Sequence, residues 1–419
     1  MKKPELLCPA GNLTKLKIAL AYGADAVYAS VGSFSLRQRS GKEFDAHTFA
    51  EGVELAHEKG AKFYATVNAF PFSGQIEPLK RHIKQMGELG VDALIVATPA
   101  VIKLARELAP NAAIHVSTQA NIMNYLDAEI YAQMGASRII AAREMSLKDA
   151  CLIKEKNPNL EIEIFVHGSM CFAFSGRCLV SAVQSGRQSN RGNCANDCRF
   201  KYELYARGGE SGTLFRLEED PEEGTHIFNS KDLNLSAHIA EIMQSGAVDS
   251  LKIEGRTKSE YYVACTARAY RMAIDDALAG RFDALKYAAE LATLKNRGFS
   301  DGYLVKRPFE RTDTQNFETS LAEGTHQVHA ISENGETMKV KGKIVKGALY
   351  EIVAPASATL TPAKSELGEL VEEGGKKYVK FEKLVSASGR EFDEVHSGNI
   401  NEIKLPCALP EFSFLRSEI

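Results

Sequence analysis

Gly90-Val-Asp-Ala-Leu-Ile-Val96 is the stretch of sequence from which the fold is most readily predicted. A helix-like segment precedes it, and a short apolar run follows its glycine. The same pattern recurs four more times before residue 255, at residues 23–28, 60–66, 135–140 and 246–251. The glycine suits the end of a helix, where the backbone often turns left-handed. Glycine has no Cβ atom and therefore adopts this conformation without steric strain. Helices that alternate with short apolar strands predict βαβ units and a parallel sheet.

Three further apolar runs, at residues 6–8, 114–116 and 162–166, bring the candidate strands to about eight. Eight parallel strands with intervening helices close most naturally into a TIM-type (β/α)8 barrel, whose usual length of ~250 residues matches this region. An open doubly wound sheet is the alternative, but no G-x-G-x-x-G turn follows the first strand. We therefore predict an α/β protein built on a TIM-type barrel.

The remaining sequence falls into an insertion and a C-terminal region. The long interval between the seventh and eighth strands predicts a Cys-rich insertion at residues 167–245, in which residues 208–224 indicate a hairpin tip or mobile loop. We place the barrel with its insertion at residues 1–295 and a linker at 296–325. Short alternating strands and the Asn334-Gly335 hairpin signal predict a small separate β domain at 326–419.

Composition narrows the class of protein. The 419 residues are 44% hydrophobic, which permits a large core, and no apolar stretch approaches the ~18 residues of a membrane helix. A net charge of −3 argues against broad attraction to nucleic acid but permits a local basic patch. Eight cysteines are too few for a disulfide scaffold in so long a chain. We expect a cytoplasmic protein without a membrane segment, whose clustered thiols are ligands or nucleophiles.

Polar residues directly follow the candidate strands, where a TIM-type barrel carries its chemistry. They are Asn68, Ser117, Gln119, Arg143, Glu144, His167, Glu254 and Arg256. For any one of them, helix capping or surface pairing is an equally good explanation, but for the set, convergence on one cavity is favoured. We predict catalytic roles for Gln119, Glu144, His167, Glu254 and Arg256, and substrate contacts for Asn68 and Ser117.

Four cysteines, Cys171, Cys178, Cys194 and Cys198, lie close together in the insertion with the spacing C-x6-C-x15-C-x3-C. Zinc is the alternative metal. Structural zinc sites usually use C-x2-C pairs, however, and these cysteines contain no such pair. Four thiolates without such pairs suit a [4Fe–4S] cluster better. A structural role as buried small residues, or as a redox pair, is the competing interpretation.

The same segment is basic, with Arg177, Arg187, Arg191, Arg199 and Lys201. Guanidinium groups beside a cluster could hold its negative charge, a carboxylate substrate or RNA phosphates. The sequence alone leaves these three alternatives open.

The segment Glu163-Ile-Phe-Val-His-Gly-Ser-Met-Cys171, followed by Ser175-Gly-Arg-Cys-Leu-Val-Ser181, resembles the signature of the collagenase-like peptidase family, peptidase family U thirty-two. Glu5-Leu-Leu-Cys-Pro-Ala-Gly11, the Gly-Ala-Asp-Ala-Val-Tyr repeat and Ser189-Asn-Arg-Gly-Asn-Cys194 extend the resemblance over roughly the whole chain. The members that look most like this sequence are bacterial RNA-hydroxylation proteins.

The resemblance implies formation of 5-hydroxyuridine at the wobble position of tRNA, with an iron–sulfur cluster and prephenate as a required metabolite. The family ligands map onto the four cysteines named above. Prephenate is a dicarboxylate, so an arginine-lined pocket containing Arg187, Arg191 and Arg256 is our hypothesis for its site. A peptidase with a Cys171–His167 nucleophile and base is the second hypothesis, since residues four apart can meet. A non-catalytic iron–sulfur module is the third.

Overall fold

The computed structural model describes residues 1–32, 34–35, 43–200, 202, 204–207, 209, 211–217, 229–316, 322–356 and 358–419. The strands of the barrel and its insertion, in chain order, are β1 (Glu5–Pro9), β2 (Ala26–Ala29), β3 (Lys62–Val67), β4 (Ala93–Val96), β5 (Ala113–Val116), β6 (Arg138–Ile140), β7 (Glu161–Ser169), β8 (Leu204–Arg207), β9 (Leu214–Leu217), β10 (Asp232–Asn234), β11 (Ser250–Ile253) and β12 (Phe299–Ser300).

The helices, in chain order, are α1 (Leu13–Ala21), α2 (Ala46–Glu58), α3 (Ile76–Glu88), α4 (Pro99–Leu108), α5 (Tyr125–Gln133), α6 (Leu147–Lys156), α7 (Val180–Ser185), α8 (Ile239–Ser245), α9 (Glu260–Leu278), α10 (Ala284–Ala292) and α11 (Arg311–Thr314). No helix in the described ranges combines the length and the apolar character that a membrane crossing needs.

Within the described residues, eight parallel strands close into a barrel. Strands β1 to β7 pair in sequence, and β11 completes the ring by pairing in parallel with both β7 and β1. The prediction of a TIM-type barrel is therefore confirmed, and the open doubly wound sheet is wrong. The repeated glycines end helices as expected: Gly90 and Gly246 have φ angles of 74° and 65°, which favour glycine.

Local sequence explains how each helix begins after its strand. The hydroxyl of Thr98 accepts a hydrogen bond from the Val101 amide, and Pro99 occupies the first turn of α4, where it has no hydrogen bond to lose. The apolar face of each helix then packs on the strands, so that side chains such as Leu6, Phe63 and Leu94 are completely buried.

The insertion lies between β7 and β11, as predicted. It contains α7, short 3₁₀ turns, the β8–β9 hairpin and β10, which pairs antiparallel with the end of β7. Part of the predicted loop at 208–224 lies outside the described residues, as does Lys201. The segment predicted as a linker, residues 296–325, packs against the insertion through bonds such as that from the Asn316 amide to the Asn229 carbonyl, at 2.8 Å.

The C-terminal strands are β13 (His326–Ile331), β14 (Thr337–Val340), β15 (Ile344–Val345), β16 (Leu349–Val353), β17 (Ala363–Ser365), β18 (Gly368–Glu373), β19 (Lys376–Phe381), β20 (Leu384–Val385), β21 (Glu391–Phe392), β22 (Glu394–Val395), β23 (Glu402–Lys404) and β24 (Phe414–Glu418). Eight of those described here form one antiparallel sheet in the order β17-β18-β19-β16-β24-β13-β14-β23. This confirms a C-terminal β region.

The sheet is not a detached unit, because it packs against helices of the barrel. The Arg416 guanidinium, 2% exposed, reaches Glu290 on α10 at 3.1 Å and Glu351 on β16 at 2.7 Å. The Tyr22 hydroxyl lies within 3.0 Å of the Val353 carbonyl oxygen, and Phe414 joins the core of the barrel. The alternating pattern of the strands could not reveal this contact, since it depends on residues far apart in sequence.

Candidate active site and metal centre

A cavity opens at the carboxyl ends of the barrel strands, and its enclosed part measures about 110 Å³. The cysteine-bearing part of the insertion lies over its mouth. The predicted strand-end residues that line it are Asn68, Ser117, Gln119, Arg143, Glu254 and Arg256. The barrel therefore brings most of the predicted set together, whereas Glu144 and His167 lie elsewhere.

The four cysteines of the insertion, Cys171, Cys178, Cys194 and Cys198, line this same cavity. All four are free thiols of intermediate exposure. Burial raises the pKa of the Cys198 thiol, and charge on the other three thiols adds to the increase while Arg199 opposes it. The four cysteines thus surround one cavity. No group of three or more His, Cys, Asp or Glu side chains among the described residues is arranged to hold a metal ion.

Glu144 anchors the loop between Cys171 and Cys178. Its carboxylate accepts hydrogen bonds from the Ser175 amide at 2.8 Å and from the Ser175 hydroxyl at 2.5 Å. Ser175 is 1% exposed and has a φ angle of 40°, a left-handed conformation that disfavours a residue with a side chain. We predicted a catalytic role for Glu144, but its contacts are those of a positioning residue. It holds the strained turn at Ser175 against the end of the barrel.

Gln119 and Gly176 form a second contact between the barrel and the loop. A Cβ atom at Gly176 would lie 2.4 Å from the Gln119 amide nitrogen, and Gly176 has a φ of 85°, so only glycine fits here. Gln119 is 7% exposed, and its Oε1 atom has no hydrogen-bond partner among the residues that the structure describes. A buried acceptor without a partner at a cavity wall is suited to meet a ligand donor.

Side-chain hydrogen bonds also order the cysteines themselves. The Cys178 amide donates to the Asn190 side chain at 3.2 Å, and the Val180 amide donates to the Cys178 sulfur at 3.3 Å. The Ser181 hydroxyl accepts from the Ala195 amide at 3.2 Å and lies 3.9 Å from the Cys194 sulfur. The two halves of the cysteine motif are therefore joined through residues that line the cavity or lie beside it.

The electrostatic character of the cavity is positive. Among the described lining residues, three are cations, namely Arg143, Lys252 and Arg256, and one is a carboxylate, Glu254. Arg143 lies 3.9 Å from the Glu254 carboxylate and stacks over the Phe165 ring at 3.9 Å. Such a site favours an anionic ligand.

Arg256 is held in place by hydroxyl groups. Its guanidinium donates to Ser30, to Thr66 at 3.2 Å and to Ser35 at 2.8 Å, and the residue is 7% exposed. These hydroxyl groups fix the orientation of the planar guanidinium at the cavity wall.

Lys252 marks the floor of the cavity and connects it to a chain of charges inside the barrel. Its ammonium group lies 2.8 Å from Glu163, and Arg138 contacts Glu163 at 3.1 Å and Glu5 at 2.6 Å. Tyr64 donates to Glu5 at 2.6 Å. Burial lowers the pKa of Lys252, while Glu163 opposes that shift. The interior of the barrel is thus filled by paired charges rather than by apolar side chains alone.

His167 does not line the cavity, so its predicted catalytic position is not supported by the geometry. It is 2% exposed, its Nδ1 atom lies 3.4 Å from the Tyr270 hydroxyl, and its ring packs against Tyr262 and Phe299. Desolvation lowers the pKa of His167 to about 3. A histidine buried among aromatic rings is poorly placed to be the base of a Cys171–His167 peptidase pair, because Cys171 faces the cavity instead.

The two arginines predicted to bind substrate also lie away from the cavity walls. Arg187 is exposed and donates to the Asn193 side chain at 2.9 Å. Arg191 stacks over the Phe72 ring at 4.0 Å and donates to Gln75 at 3.0 Å. Arg256, the third arginine of the predicted pocket, does line the cavity, and Arg143 lines it as well.

Sequence reasoning missed Lys252 and its partners. The sequence signal was the presence of polar or charged residues at alternate positions of the short strands, as in Glu161-Ile-Glu163 and Ser250-Leu-Lys252. Alternate residues of a barrel strand point to the same side, so Glu163 and Lys252 point inward together.

The chain is similar to several known proteins over most or all of its length. It is 54% identical to the tRNA hydroxylation protein P of Helicobacter pylori over 420 residues, which cover 100% of both chains. It is 38% identical to the protein of the same name from Escherichia coli, over 85% of this chain and 87% of that protein. It is 32% identical to a collagenase of Porphyromonas gingivalis, over 72% of this chain and 73% of that protein.

A family model described as Peptidase family U32 matches residues 11–314 of the chain. This range spans barrel strands β2 to β7 and β11, the cysteine-bearing insertion and every residue that lines the cavity. The match agrees with the resemblance seen in the sequence, and the chain belongs to peptidase family U32.

Proposed function

We propose that this chain is a tRNA-modifying hydroxylase that converts the wobble uridine to 5-hydroxyuridine. The reaction replaces the hydrogen on C5 of the uracil ring by a hydroxyl group, a two-electron oxidation that also requires an oxygen donor and an electron acceptor. The observation that carries the proposal is the meeting of four cysteines and the strand-end polar residues around one cavity. Two relatives that match most or all of the chain are named tRNA hydroxylation protein P, which supports an RNA substrate.

The four cysteines are proposed to hold a [4Fe–4S] cluster, and the donor set fits that group. Thiolates are the ligands that such clusters use. Structural zinc sites usually pair their thiolates as C-x2-C, a spacing that these four cysteines lack. A cluster spreads its thiolates over several iron atoms and accepts a wider spacing. When bound, it would supply one-electron transfer at the barrel mouth.

The cations of the cavity are proposed to bind prephenate, the metabolite that the family resemblance implies. Arg143, Lys252 and Arg256 offer three positive groups, and a dicarboxylate can occupy two of them while leaving Arg143 beside Glu254. Burial strengthens these contacts, since Lys252 is 3% exposed and Arg256 is 7% exposed. This assignment replaces Arg187 and Arg191 by residues that the barrel brings to the cavity.

The nucleobase would reach the cavity from a single-stranded loop of the tRNA. Exposed aromatic rings at the mouth, Phe172 at 43% and Phe174 at 49%, provide surfaces on which unstacked bases can stack. The Oε1 atom of Gln119 and the side chains of Asn68 and Ser117 can read the polar edge of the base, because all three residues line the cavity. Glu254, beside Arg143, is the carboxylate available to accept or hold a proton there.

The test is expression of this chain in a bacterium that lacks wobble-uridine hydroxylation, followed by digestion of its tRNA and mass spectrometry. We expect the chain to restore 5-hydroxyuridine and Cys171→Ser to abolish it. Cys407→Ser is the matched control, because Cys407 lies in the C-terminal region and away from the cavity. Absence of the modified nucleoside with a soluble, cluster-loaded wild-type chain would contradict the proposal.

A variant at Glu254 separates catalysis from a purely structural cluster. Glu254→Gln removes the negative charge and retains the shape of the side chain, with one acceptor oxygen replaced by an amide donor. Loss of 5-hydroxyuridine with unchanged iron content supports an enzyme, whereas full modification by this variant supports the non-catalytic module.

A further inference from the structure

A groove separate from the cavity lies between the barrel mouth and the C-terminal sheet. It has a volume of about 740 Å³, several times that of the enclosed cavity. One wall is formed by the beginnings of α1 and α9, and the other by β13 and the end of β24. The groove is therefore large enough for a chain-like ligand.

The groove carries four lysines, Lys15, Lys258, Lys295 and Lys341. Among the described residues that line it, Glu260 is the one acidic side chain, and it lies 3.5 Å from Lys341. The positive charge is thus in clear excess, although the chain as a whole carries a net charge of −3. A local basic surface on an acidic protein is the electrostatic pattern of a site for a polyanion.

Two helix N-termini add to this field. Asn12 caps α1, Ser259 caps α9, and both residues line the groove. Free amide groups and the helix dipole give a helix N-terminus a partial positive charge, which favours phosphate oxygens.

One segment of chain forms the wall between the groove and the cavity. Glu254 and Arg256 line the cavity, and Lys258 and Tyr262 line the groove. The two sides are joined by hydrogen bonds, because the Tyr262 hydroxyl donates to the Glu254 carbonyl at 2.8 Å and Lys15 donates to the Arg256 carbonyl at 3.2 Å. A polymer with one unit in the cavity could therefore continue directly into the groove.

The lining favours a nucleic acid over an acidic protein. The aromatic residues of the groove are already buried, with Tyr261 at 8%, Tyr262 at 6% and Phe414 at 2% exposure. A protein partner would be expected to find exposed apolar anchors at the centre of its interface. The groove offers ammonium groups and helix ends instead, which contact phosphates irrespective of sequence.

We propose that this groove binds the phosphate backbone of the RNA that flanks the nucleotide in the cavity. The inference rests on the proposed function and deepens it, because it assigns the path of the substrate over the protein surface. The C-terminal sheet then takes part in binding, since it supplies Lys341 and one wall of the groove.

The test is a double charge reversal, Lys295→Glu with Lys341→Glu, in the full-length chain. Both lysines are exposed, and neither lines the cavity. The matched control is Lys346→Glu with Lys364→Glu, which makes the same change in charge at exposed positions outside the groove. Lys364 resembles Lys341 in that it lies 3.4 Å from a carboxylate, that of Glu369.

Binding of fluorescein-labelled tRNA is measured by anisotropy over a range of salt concentrations. We expect the groove variant to bind at least about tenfold more weakly and to lower the salt-dependence slope by roughly 1 to 2, as the loss of two phosphate contacts requires. The control pair should bind within about twofold of wild type, since its lysines contact no phosphate. Equal losses in the two variants, or no loss in either, would overturn the inference.

Failure of the groove and failure of the proposed function give different results in the bacterial assay. If wild type restores 5-hydroxyuridine and the groove variant restores it fully, the groove inference is wrong and the function stands. If wild type restores none while tRNA binding still depends on the groove lysines, the function is wrong and the groove remains an RNA site.

Discussion

Glu144 offers the sharpest test of how the barrel holds the cysteine loop. Its carboxylate accepts two hydrogen bonds from Ser175, at 2.8 and 2.5 Å, and Ser175 is 1% exposed. Glu144→Ala removes both acceptors and leaves a buried amide and a buried hydroxyl without them. We expect the loop between Cys171 and Cys178 to open and the protein to lose its iron.

The magnitude follows from these two bonds. A hydrogen bond to a charged group contributes ~1.5–3 kcal/mol, so the lower figure gives a loss of ~3 kcal/mol for the pair. The left-handed turn at Ser175 favours opening equally in wild type and variant, so it does not change this difference. A loss of ~3 kcal/mol lowers the population of the ordered loop about a hundredfold relative to the open one. Glu144→Gln keeps neutral hydrogen bonds and should lose about half as much.

The assay is iron and sulfide content per chain after anaerobic reconstitution, together with urea unfolding. Asp149→Ala is the matched control, because Asp149 accepts from the amide and hydroxyl of Ser146 at 3.2 and 2.5 Å but does so at the start of α6. It should lower stability by ~1 kcal/mol as a lost helix cap and leave the iron content unchanged. Full iron content in Glu144→Ala would refute the reasoning.

Three further variants test the interior of the protein. Lys252→Met leaves the buried carboxylate of Glu163 with only part of its charge compensation, so we expect the free energy of unfolding in urea to fall by ~3 kcal/mol. We also expect prephenate to give this variant no thermal stabilisation. Stabilisation equal to that of wild type would contradict the assignment of prephenate to the cavity. Burial holds the pKa of His167 at about 3, below the unfolded value, so only the unfolded state gains its proton as pH falls from about 6.5 to 3. Wild type should therefore lose ~1.4 kcal/mol per pH unit more than His167→Gln in that window, and parallel pH profiles would show that His167 is not buried neutral. Arg416→Met leaves two carboxylates of the barrel–sheet contact without their guanidinium and should lower the free energy of unfolding by ~3–5 kcal/mol. The control is Lys377→Met, which removes the ion pair with Glu372 at the surface. Equal losses in the two variants would mean that the barrel–sheet contact is weak.

The barrel could be predicted from the sequence because its information is local and repeated. Each unit carries its own helix end, turn and apolar strand, so five glycine-containing copies were enough to identify the strand order. The grouping of the four cysteines around one cavity was equally accessible, since they stand close together in the sequence of one insertion. Convergence of Asn68, Ser117, Gln119 and Glu254 followed from the barrel geometry alone.

The misplaced residues depended on contacts that sequence does not show. His167 was taken to follow a strand, but β7 extends to Ser169, and His167 pairs with Asn234 of β10. That pairing is antiparallel and comes from the insertion, which has no repeated pattern. Arg191 was assigned to a carboxylate, although its guanidinium stacks on Phe72 from a distant loop. Irregular loops place their side chains through such long-range contacts.

The most direct test of the account is the metal content of the anaerobically purified protein, read together with its absorption spectrum. The account predicts a brown protein with iron and acid-labile sulfide in equal amounts, and loss of both when Cys178 and Cys194 are replaced by serine. Zinc in place of iron, or an iron content that these substitutions leave unchanged, would contradict the claim that the four cavity cysteines hold an iron–sulfur cluster.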